Sequence, residues 1–227
     1  MALTEVVIAN MALALIGTGR PLTDVDGTIA NASDISAEKR LAALWYERSR
    51  NAVLEAFPWP FARGYATLVL NDDGENDIWG NEWDYAYDYP ADCLRIRRFV
   101  NDLSAGLAGF DYPLAGRDNQ NAGDSRYHYV VRVHDGDKVI LTNVPEDDAQ
   151  IEYTRLITDV ELYTEQFALA LAWLLGSRLA STLENADRAA SAMQNYEYEI
   201  RRAWAASRNE EAPRDPPDGE FVLSRWH

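Results

Sequence analysis

Cysteine, histidine and basic residues are scarce in this 227-residue chain. The single cysteine, Cys93, excludes an intrachain disulfide and a thiolate metal cluster. Nucleophilic catalysis by serine or cysteine needs a base, and the three histidines are His128, His134 and His227. The first two lie on or beside one predicted hairpin and the third is the last residue, so we interpret all three as surface side chains.

Positive charge is also scarce. The 21 Lys and Arg residues face 37 Asp and Glu residues, which leaves a formal net charge of −16. Surfaces that bind nucleic acids neutralise phosphates with Lys and Arg, so this balance argues against such a surface and against adhesion to anionic membranes. High acidity commonly serves solubility alone. A more specific interpretation is that a polyanion passes close to the protein and that the acidic surface keeps it from binding.

No hydrophobic run is long enough to span a bilayer. The most apolar run, LTEVVIANMALALIG from Leu3, contains Glu5, lacks a basic start and is predicted to be a core helix. We therefore expect no membrane partner, and a protein that stays in the cytoplasm where it is made or in a particle assembled there. A phosphate-binding Gly-rich loop and Glu-x-x-His metal pairs are lacking too, so we predict no catalytic residue, metal or cofactor.

Helical periodicity is present at both ends of the chain. Three- and four-residue spacing of apolar residues predicts a helix that closes at Gly17 and a second from Ser36, a capping residue, to Phe57. Pro58 lacks a backbone N–H and ends the second helix. Two more helices are predicted in the last third, and a glycine inside the first of them, Gly176, indicates that another helix crosses closely there.

Between residues 65 and 155 the apolar period changes to two. Six runs rich in aromatic and β-branched residues are predicted to be strands: YATLVL, WDYAYDY, CLRIRRF, YHYVVRV, KVILTN and AQIEYTR. Asp135 and Gly136 predict a tight hairpin turn with positive φ angles. The Gly-rich segment 104–126 is predicted to be a mobile loop.

These elements predict an α+β fold. It is mainly a helical bundle, built from two N-terminal and two C-terminal helices, with an inserted antiparallel β-rich lobe. The predicted bundle is discontinuous, covering residues 1–62 and 156–206, and the lobe covers 63–155. Residues 207–227 are predicted to be an extended C-terminal tail.

Residues 71–92, NDDGENDIWGNEWDYAYDYPAD, carry eight carboxylates and no basic side chain. Aromatic platforms with acidic neighbours bind sugars and flank cleaved glycosidic bonds, so a carbohydrate-binding module or glycosidase is one hypothesis. The acidic spacing does not fit a calcium-binding EF-hand loop. Alternation of Trp83, Tyr85, Tyr87 and Tyr89 equally predicts a packed sheet face or an interface.

The C-terminal tail carries three prolines between Ala212 and Pro217 and has no periodicity, which predicts that it does not pack into the core. It nevertheless ends in the apolar residues Phe221, Val222, Leu223 and Trp226. Apolar residues at the end of such a tail indicate that a partner receives them.

Five stretches carry a family resemblance together: LTEVVIANMALALIG, LWYERSRNAVLEAFPWPFARGYATL, WDYAYDYPADCLRIRRF, IEYTRLITDVELYTEQFALALAWLLGSRLASTL and MQNYEYEIRRAWA. They cover most of residues 1–206, and PWPFA, YPADCLR and FALALAWLLGSRLA are their most specific parts. In this order they resemble the head-to-tail adaptor, or connector, family of tailed bacteriophages, which includes the tail tubular protein A of short-tailed phages. The segment 104–126 departs from the family's compact pattern, and the tail beyond Ala206 matches nothing in it.

The resemblance implies a structural protein of the virion and not an enzyme. Such adaptors form a homo-oligomeric ring, typically a dodecamer, at the neck between capsid and tail. The ring lies beneath the portal protein, presents a platform to the next tail or nozzle protein, and lets DNA pass during ejection without specific binding. An acidic channel wall would repel DNA and let it slide.

The same resemblance implies roles for parts of this chain. The helices would form the ring, the β-lobe would face the tail and the C-terminal extension would reach along the portal. We therefore expect Phe221, Val222, Leu223 and Trp226 to bind the portal. Trp83, Tyr85, Tyr87 and Tyr89 are expected to lie within the lobe or between subunits.

Overall fold

The computed structural model describes residues 3–18, 21–23, 27–30, 36–71, 83–100, 129–146, 149–183 and 186–210, the last four without their side chains. The segment 104–126 lies outside the described residues. So do His128, His227 and the four tail residues Phe221, Val222, Leu223 and Trp226.

The described residues contain four α-helices and six strands. The helices are α1 (Glu5–Leu15), α2 (Ala37–Ala56), α3 (Glu165–Thr182) and α4 (Ala186–Glu210). The strands are β1 (Arg63–Thr67), β2 (Tyr85–Asp88), β3 (Cys93–Phe99), β4 (Tyr129–His134), β5 (Asp137–Thr142) and β6 (Gln150–Arg155). All strand pairs are antiparallel, so the predicted α+β fold is confirmed, and each of the six predicted runs overlaps one strand.

The chain divides into two compact units. A helical unit takes in Thr4–Tyr46 and the chain from Glu165 onward, and a β unit consists chiefly of Glu47–Thr164. The division between Tyr46 and Glu47 falls inside α2. This helix therefore supplies side chains to both units.

In the helical unit, α3 packs against both α1 and α4. Its fully buried side chains recur at helical spacing: Phe167, Leu171, Leu175 and Leu179. A Cβ atom at Gly176 would lie 3.1 Å from Ile16 Cγ2 and 3.2 Å from the carbonyl oxygen of Ala12. The predicted close crossing at Gly176 is confirmed, and the crossing helix is α1.

The beginnings of α1 and α2 are capped by side chains. Thr4 Oγ1 accepts a hydrogen bond from the Val7 amide at 3.2 Å. Ser36 Oγ accepts one from the Lys39 amide at 3.2 Å, which confirms the predicted capping role of Ser36. Each cap satisfies one of the amide groups that have no partner inside the first turn of a helix.

The β unit contains two three-stranded sheets. The first has the order β1-β6-β3 and the second has the order β2-β5-β4. The chain that leaves β1 connects them, because Leu70 forms an isolated bridge with Tyr87 of β2. The inner faces share one core, whose main members are Tyr87 and Ile140 from the second sheet and Ile96, Ile151 and Tyr153 from the first.

Two sharp turns in the β unit follow the local sequence. The β4–β5 hairpin turns at Asp135 (φ 48°) and Gly136 (φ 98°), as predicted. The corner after α2 is anchored by Trp59, whose buried indole Nε1 donates to the carbonyl oxygen of Val53 at 2.8 Å. The Trp59 ring also packs edge-on against Phe57 with 4.8 Å between centroids.

Candidate interaction surface

The tyrosines of β2 point into the β unit. Tyr87 is fully buried and its hydroxyl donates to the carbonyl oxygen of Val144 at 2.7 Å. Tyr85 stacks on Tyr87 with 6.2 Å between ring centroids, and Lys138 Nζ lies 5.1 Å from the centroid of Tyr89. Tyr85 and Tyr89 both pack against the shared core while keeping part of their surface exposed. The alternating rings therefore build the inner face of the second sheet.

Burial shifts the titration of these groups. It raises the pKa of Tyr87 to about 12, with smaller contributions from Tyr85 and Glu146. Burial also raises the pKa of Tyr89, as does a hydrogen bond with Cys93. Burial is likewise the main cause of the raised pKa of the Cys93 thiol. A thiol held protonated in a core is a poor nucleophile, so Cys93 packs here as a small buried side chain.

The other side of β2 is acidic. Asp84 and Asp88 alternate with the tyrosines, so they lie on the outer face of the second sheet, and both are exposed. Asp88 Oδ1 accepts a hydrogen bond from Asn71 Nδ2 at 2.7 Å. We call Asp84 and Asp88 the acidic side. Trp83, at the start of this segment, is half-buried.

The outer face of the first sheet carries the opposite charge. Arg95 and Arg98 of β3 lie opposite Thr154 and Glu152 of β6, and Arg63 of β1 lies opposite Thr154 from the other edge. We call Arg63, Arg95, Arg97 and Arg98 the arginine face. Arg95 and Arg98 lie on either side of the core residue Ile96 in the pairing with β6, which places them on the side of the sheet away from the core. Arg97, at the register shift between Ile96 and Arg98, reaches the same side, where it contacts Thr154.

One buried carboxylate organises two of these arginines. The side chain of Glu152 is 7% exposed, and its Oε1 lies 3.0 Å from Arg63 Nε while its Oε2 lies 2.7 Å from Arg98 Nε. The Arg63 and Arg98 side chains remain 38% and 53% exposed. Because each carboxylate oxygen has its own guanidinium, Glu152 fixes both arginines while leaving their outer edges accessible.

Arg97 completes the end of α2. The carbonyl of Leu54 would normally pair with the amide of residue 58, but that residue is Pro58, which has no N–H. Arg97 Nη2 donates to the carbonyl oxygens of Leu54 at 3.2 Å and Glu55 at 3.0 Å. Its Nε donates to Thr154 Oγ1 at 2.7 Å. Burial, followed by repulsion from Arg95, lowers the pKa of Arg97 to about 10.

The arginine face was not predicted from the sequence, although a signal for it exists. The run LRIRRF has arginine at positions 95, 97 and 98, which breaks the alternation expected of a regular strand. The structure has a register shift between Ile96 and Arg98, so the side chains of Arg97 and Arg98 both lie on the outer face of the sheet. Consecutive charged residues inside a strand are thus a sign of a bulge.

Metal ligands and histidines are sparsely distributed over the described residues. Among the described side chains, no three or more His, Cys, Asp or Glu residues are grouped so that they could hold a metal ion. His134 lies 3.7 Å from Asp135, the next residue of the hairpin turn. Among the residues that the structure describes, no helix is both long enough and apolar enough to cross a membrane.

Neither a model of a known protein family nor a curated protein matches the chain.

Proposed function

We propose that this protein is a structural head-to-tail adaptor of a tailed bacteriophage. In this proposal, copies of the chain form a ring at the neck of the virion, between the portal and the next tail or nozzle protein, and DNA passes through the ring. The free chain is made in the host cytoplasm. The number of copies follows from the resemblance, which favours a dodecamer.

The observation that carries the proposal is the contact between two of the three most specific motifs of the resemblance. PWPFA supplies Pro58, which leaves the carbonyl of Leu54 without an amide partner, and Trp59, whose amide donates to the carbonyl of Phe57 and not to that of Glu55. YPADCLR and the residues after it supply Arg95 and Arg97, which donate to those carbonyls. Motifs about 35 residues apart in the chain therefore build one joint, as expected of a shared structural design.

The YPADCLR motif is also tied to β6. Asp92 Oδ1 accepts a hydrogen bond from the Tyr153 hydroxyl at 3.0 Å, and Asp92 Oδ2 lies 3.1 Å from Arg155 Nε. Identical subunits close into a ring only at one rotation, so each subunit must hold a fixed internal geometry. A joint held by several charge-assisted hydrogen bonds suits that requirement.

Cryo-electron microscopy of virions from the phage that encodes this chain tests the proposal. We expect ring density at the neck that accommodates the β unit. Particles assembled without the chain are the control, and they should package DNA without retaining tails. Intact virions whose neck density is explained by other proteins would contradict the proposal.

Portal binding by the C-terminal tail is tested separately. Phe221, Val222, Leu223 and Trp226 are replaced by serine in the full chain, and binding to purified portal rings is measured. We expect binding to be lost while circular dichroism stays unchanged. A matched control replaces the charged tail residues Arg214 and Asp215 by serine. Equal binding by the apolar variant and the control would reject tail docking.

The carbohydrate hypothesis has less support from the geometry. Tyr87 is fully buried, and Tyr85 and Tyr89 pack against the core, so Trp83 is the ring of this set that lies outside it. Titration with oligosaccharides, using wild type and Trp83→Ala, separates the two functions. Sugar binding that depends on Trp83 would favour the carbohydrate function over the adaptor.

A further inference from the structure

The first sheet has an open edge along β1. Just beyond β1, the Leu68 amide donates to the carbonyl oxygen of Ala149, the residue before β6, at 2.7 Å. Backbone groups of an antiparallel strand point alternately to its two sides, so those of Ala66 also face β6 and those of Tyr65 and Thr67 face away from it. In the part of the chain that the structure describes, the outward groups of Tyr65 and Thr67 have no hydrogen-bond partner.

β2 occupies this edge only beyond the end of β1. The Asp88 amide of β2 donates to the carbonyl oxygen of Val69 at 2.9 Å. The next amide, that of Tyr89, donates to the carbonyl oxygen of Lys138 in β5 at 3.2 Å, and Pro90 has no amide hydrogen. β2 therefore cannot continue to donate along the edge of β1.

The side chains that border the open edge are a tyrosine and two arginines. Tyr65 is 59% exposed and lies directly opposite Glu152, which places it on the same side of the sheet as the arginine face. Arg63 and Arg98 bind the two oxygens of Glu152 and remain 38% and 53% exposed. Tyrosine and arginine are the residue types that contribute most of the binding energy at protein interfaces.

The arginine face is positively charged although the chain is strongly acidic. Among the described residues, Glu152 is the one carboxylate that forms ion pairs with its four arginines, and Glu152 is buried. The face therefore retains net positive charge, while the whole chain carries −16. Charge complementarity at the open edge thus favours a ligand that carries carboxylates.

We propose that the open edge of β1 binds an acidic segment of a partner protein in an extended conformation. The segment adds as a strand beside β1, and its amides and carbonyls pair with the outward groups of Tyr65 and Thr67. Alternate side chains of the added strand fall on the side of the arginine face, where carboxylates can pair with Arg63 and Arg98. This binding surface does not depend on assembly of a ring.

The open edge fits a peptide better than a nucleic acid. Phosphate oxygens accept hydrogen bonds from amides and guanidiniums, but they cannot donate to the outward carbonyls of Tyr65 and Thr67. A peptide backbone both donates and accepts. The arginines add selectivity, because a charged edge pairs less readily with strands that do not carry the opposite charge.

Fluorescence anisotropy with a synthetic peptide tests the proposal on the full chain. The probe is a fluorescein-labelled peptide of alternating glutamate and valine, about seven residues long, which matches the length of a strand. We expect saturable binding that weakens with added salt, since screening reduces the attraction between exposed charges. The same peptide with lysine in place of glutamate is the control and should bind at least about tenfold more weakly.

N-methylation of the peptide separates strand pairing from simple charge attraction. In antiparallel pairing, the glutamates lie directly opposite Tyr65 and Thr67, and their amides point to β1. Methyl groups on the glutamate nitrogens should therefore abolish binding, whereas methyl groups on the valine nitrogens should be tolerated. Both methylated peptides carry the same charge, so equal binding of the two would overturn strand addition.

Two variants of the protein test the side chains at the edge. Arg63→Gln removes a positive charge and keeps a donor for Glu152, and Tyr65→Ser removes the exposed ring. We expect each variant to bind the glutamate peptide about fivefold more weakly or worse. Arg132→Gln is the matched control, because Arg132 is an exposed arginine of β4 outside the arginine face. Circular dichroism confirms folding, and wild-type affinity in both edge variants would overturn the assignment.

Other occupants of the edge give distinct results. Failure of the glutamate peptide to bind overturns the proposal. If duplex DNA binds in its place and Arg63→Gln weakens that binding, the arginine face is a nucleic-acid site. Self-association that Arg63→Gln weakens, without peptide binding, would replace the partner segment by a second copy. Ring density at the neck of virions tests the adaptor function independently of all these results.

Discussion

Arg97 joins helix and sheet inside the β unit. Its guanidinium is partly buried, and this burial lowers the pKa of Arg97 to about 10. The same group donates hydrogen bonds to two backbone carbonyls and one hydroxyl. The helix needs this donor because Pro58 removes an amide at the position where α2 ends. Arg97 of β3 thus supplies the hydrogen-bond donor that Pro58 cannot supply to the carbonyl of Leu54.

Replacement of Arg97 by methionine tests this role. Arg97→Met keeps the length of the side chain and removes every donor, so we expect the free energy of unfolding to fall by about 1–3 kcal/mol. Urea denaturation followed by circular dichroism measures it. Arg132→Met, at an exposed site, is the control and should change little. An unchanged stability for Arg97→Met would mean that water satisfies the Leu54 and Glu55 carbonyls equally well.

Tyr87 makes stability dependent on alkaline pH. Its pKa rises from 10.0 in the unfolded chain to about 12 in the folded one. Between these values the unfolded state loses the phenol proton and the folded state keeps it, so stability present below pH 10 is lost as pH rises. In Tyr87→Phe, the free energy of unfolding should fall less steeply with pH over this interval than in wild type, as measured by urea denaturation. If the free energy of unfolding fell equally steeply with pH in wild type and Tyr87→Phe, the raised pKa of Tyr87 would be contradicted.

At the scale of elements, the crossing of α1 and α3 depends on the absence of a side chain at Gly176. Leucine there would meet Ile16 Cγ2 and the backbone of Ala12, which cannot move without displacing α1. We expect Gly176→Leu to lower stability by about 1–3 kcal/mol despite the better helix propensity of leucine. Thermal unfolding compares it with Ser181→Leu, an exposed site on the same helix. Equal stability of the two variants would show that a leucine side chain at position 176 fits between α1 and α3.

Strands, helix caps and turns could be predicted where the local sequence pattern alone determines them. Alternation located six strands, and Ser36, Gly136 and Gly176 were assigned from local rules. The buried side of α2 was predicted less well. It runs through Ala42, Tyr46, Ser49 and Val53, whereas the more hydrophobic side chain of Leu44 is 53% exposed. Burial of Ser49 depends on what packs against α2, which no local pattern contains.

The candidate surface was less predictable than the fold. Sequence reasoning singled out the aromatics of β2, which the structure places on the inner side of the second sheet. The arginine face arises because β1 and β3 flank β6, so arginines distant in sequence meet around Glu152. Strand order is a long-range property, and a period of two does not specify it.

At the scale of the whole molecule, α2 belongs to two compact units. Ala42 and Tyr46 are buried in its helical-unit part, and Val53 and Leu54 are buried in its β-unit part. An unbroken helix between them makes the order of each part dependent on the other, because helix formation is cooperative.

A proline at the division tests this dependence. Glu47→Pro removes an internal hydrogen bond of α2 and should cost about 3 kcal/mol or more. We expect hydrogen exchange, read by mass spectrometry, to increase in both units. Ala37→Pro is the matched control, since proline is tolerated at the first position of a helix. Faster exchange confined to one unit would show that the units are energetically independent.

The joint at Pro58 also has a consequence for synthesis on the ribosome. The carbonyl of Leu54 is made 43 residues before the guanidinium of Arg97 that it finally binds. Until then, the carbonyl of Leu54 has only water to bond with. Because β3 pairs with β6, which is translated later still, we expect the bond between Leu54 and Arg97 to form only after this sheet has assembled.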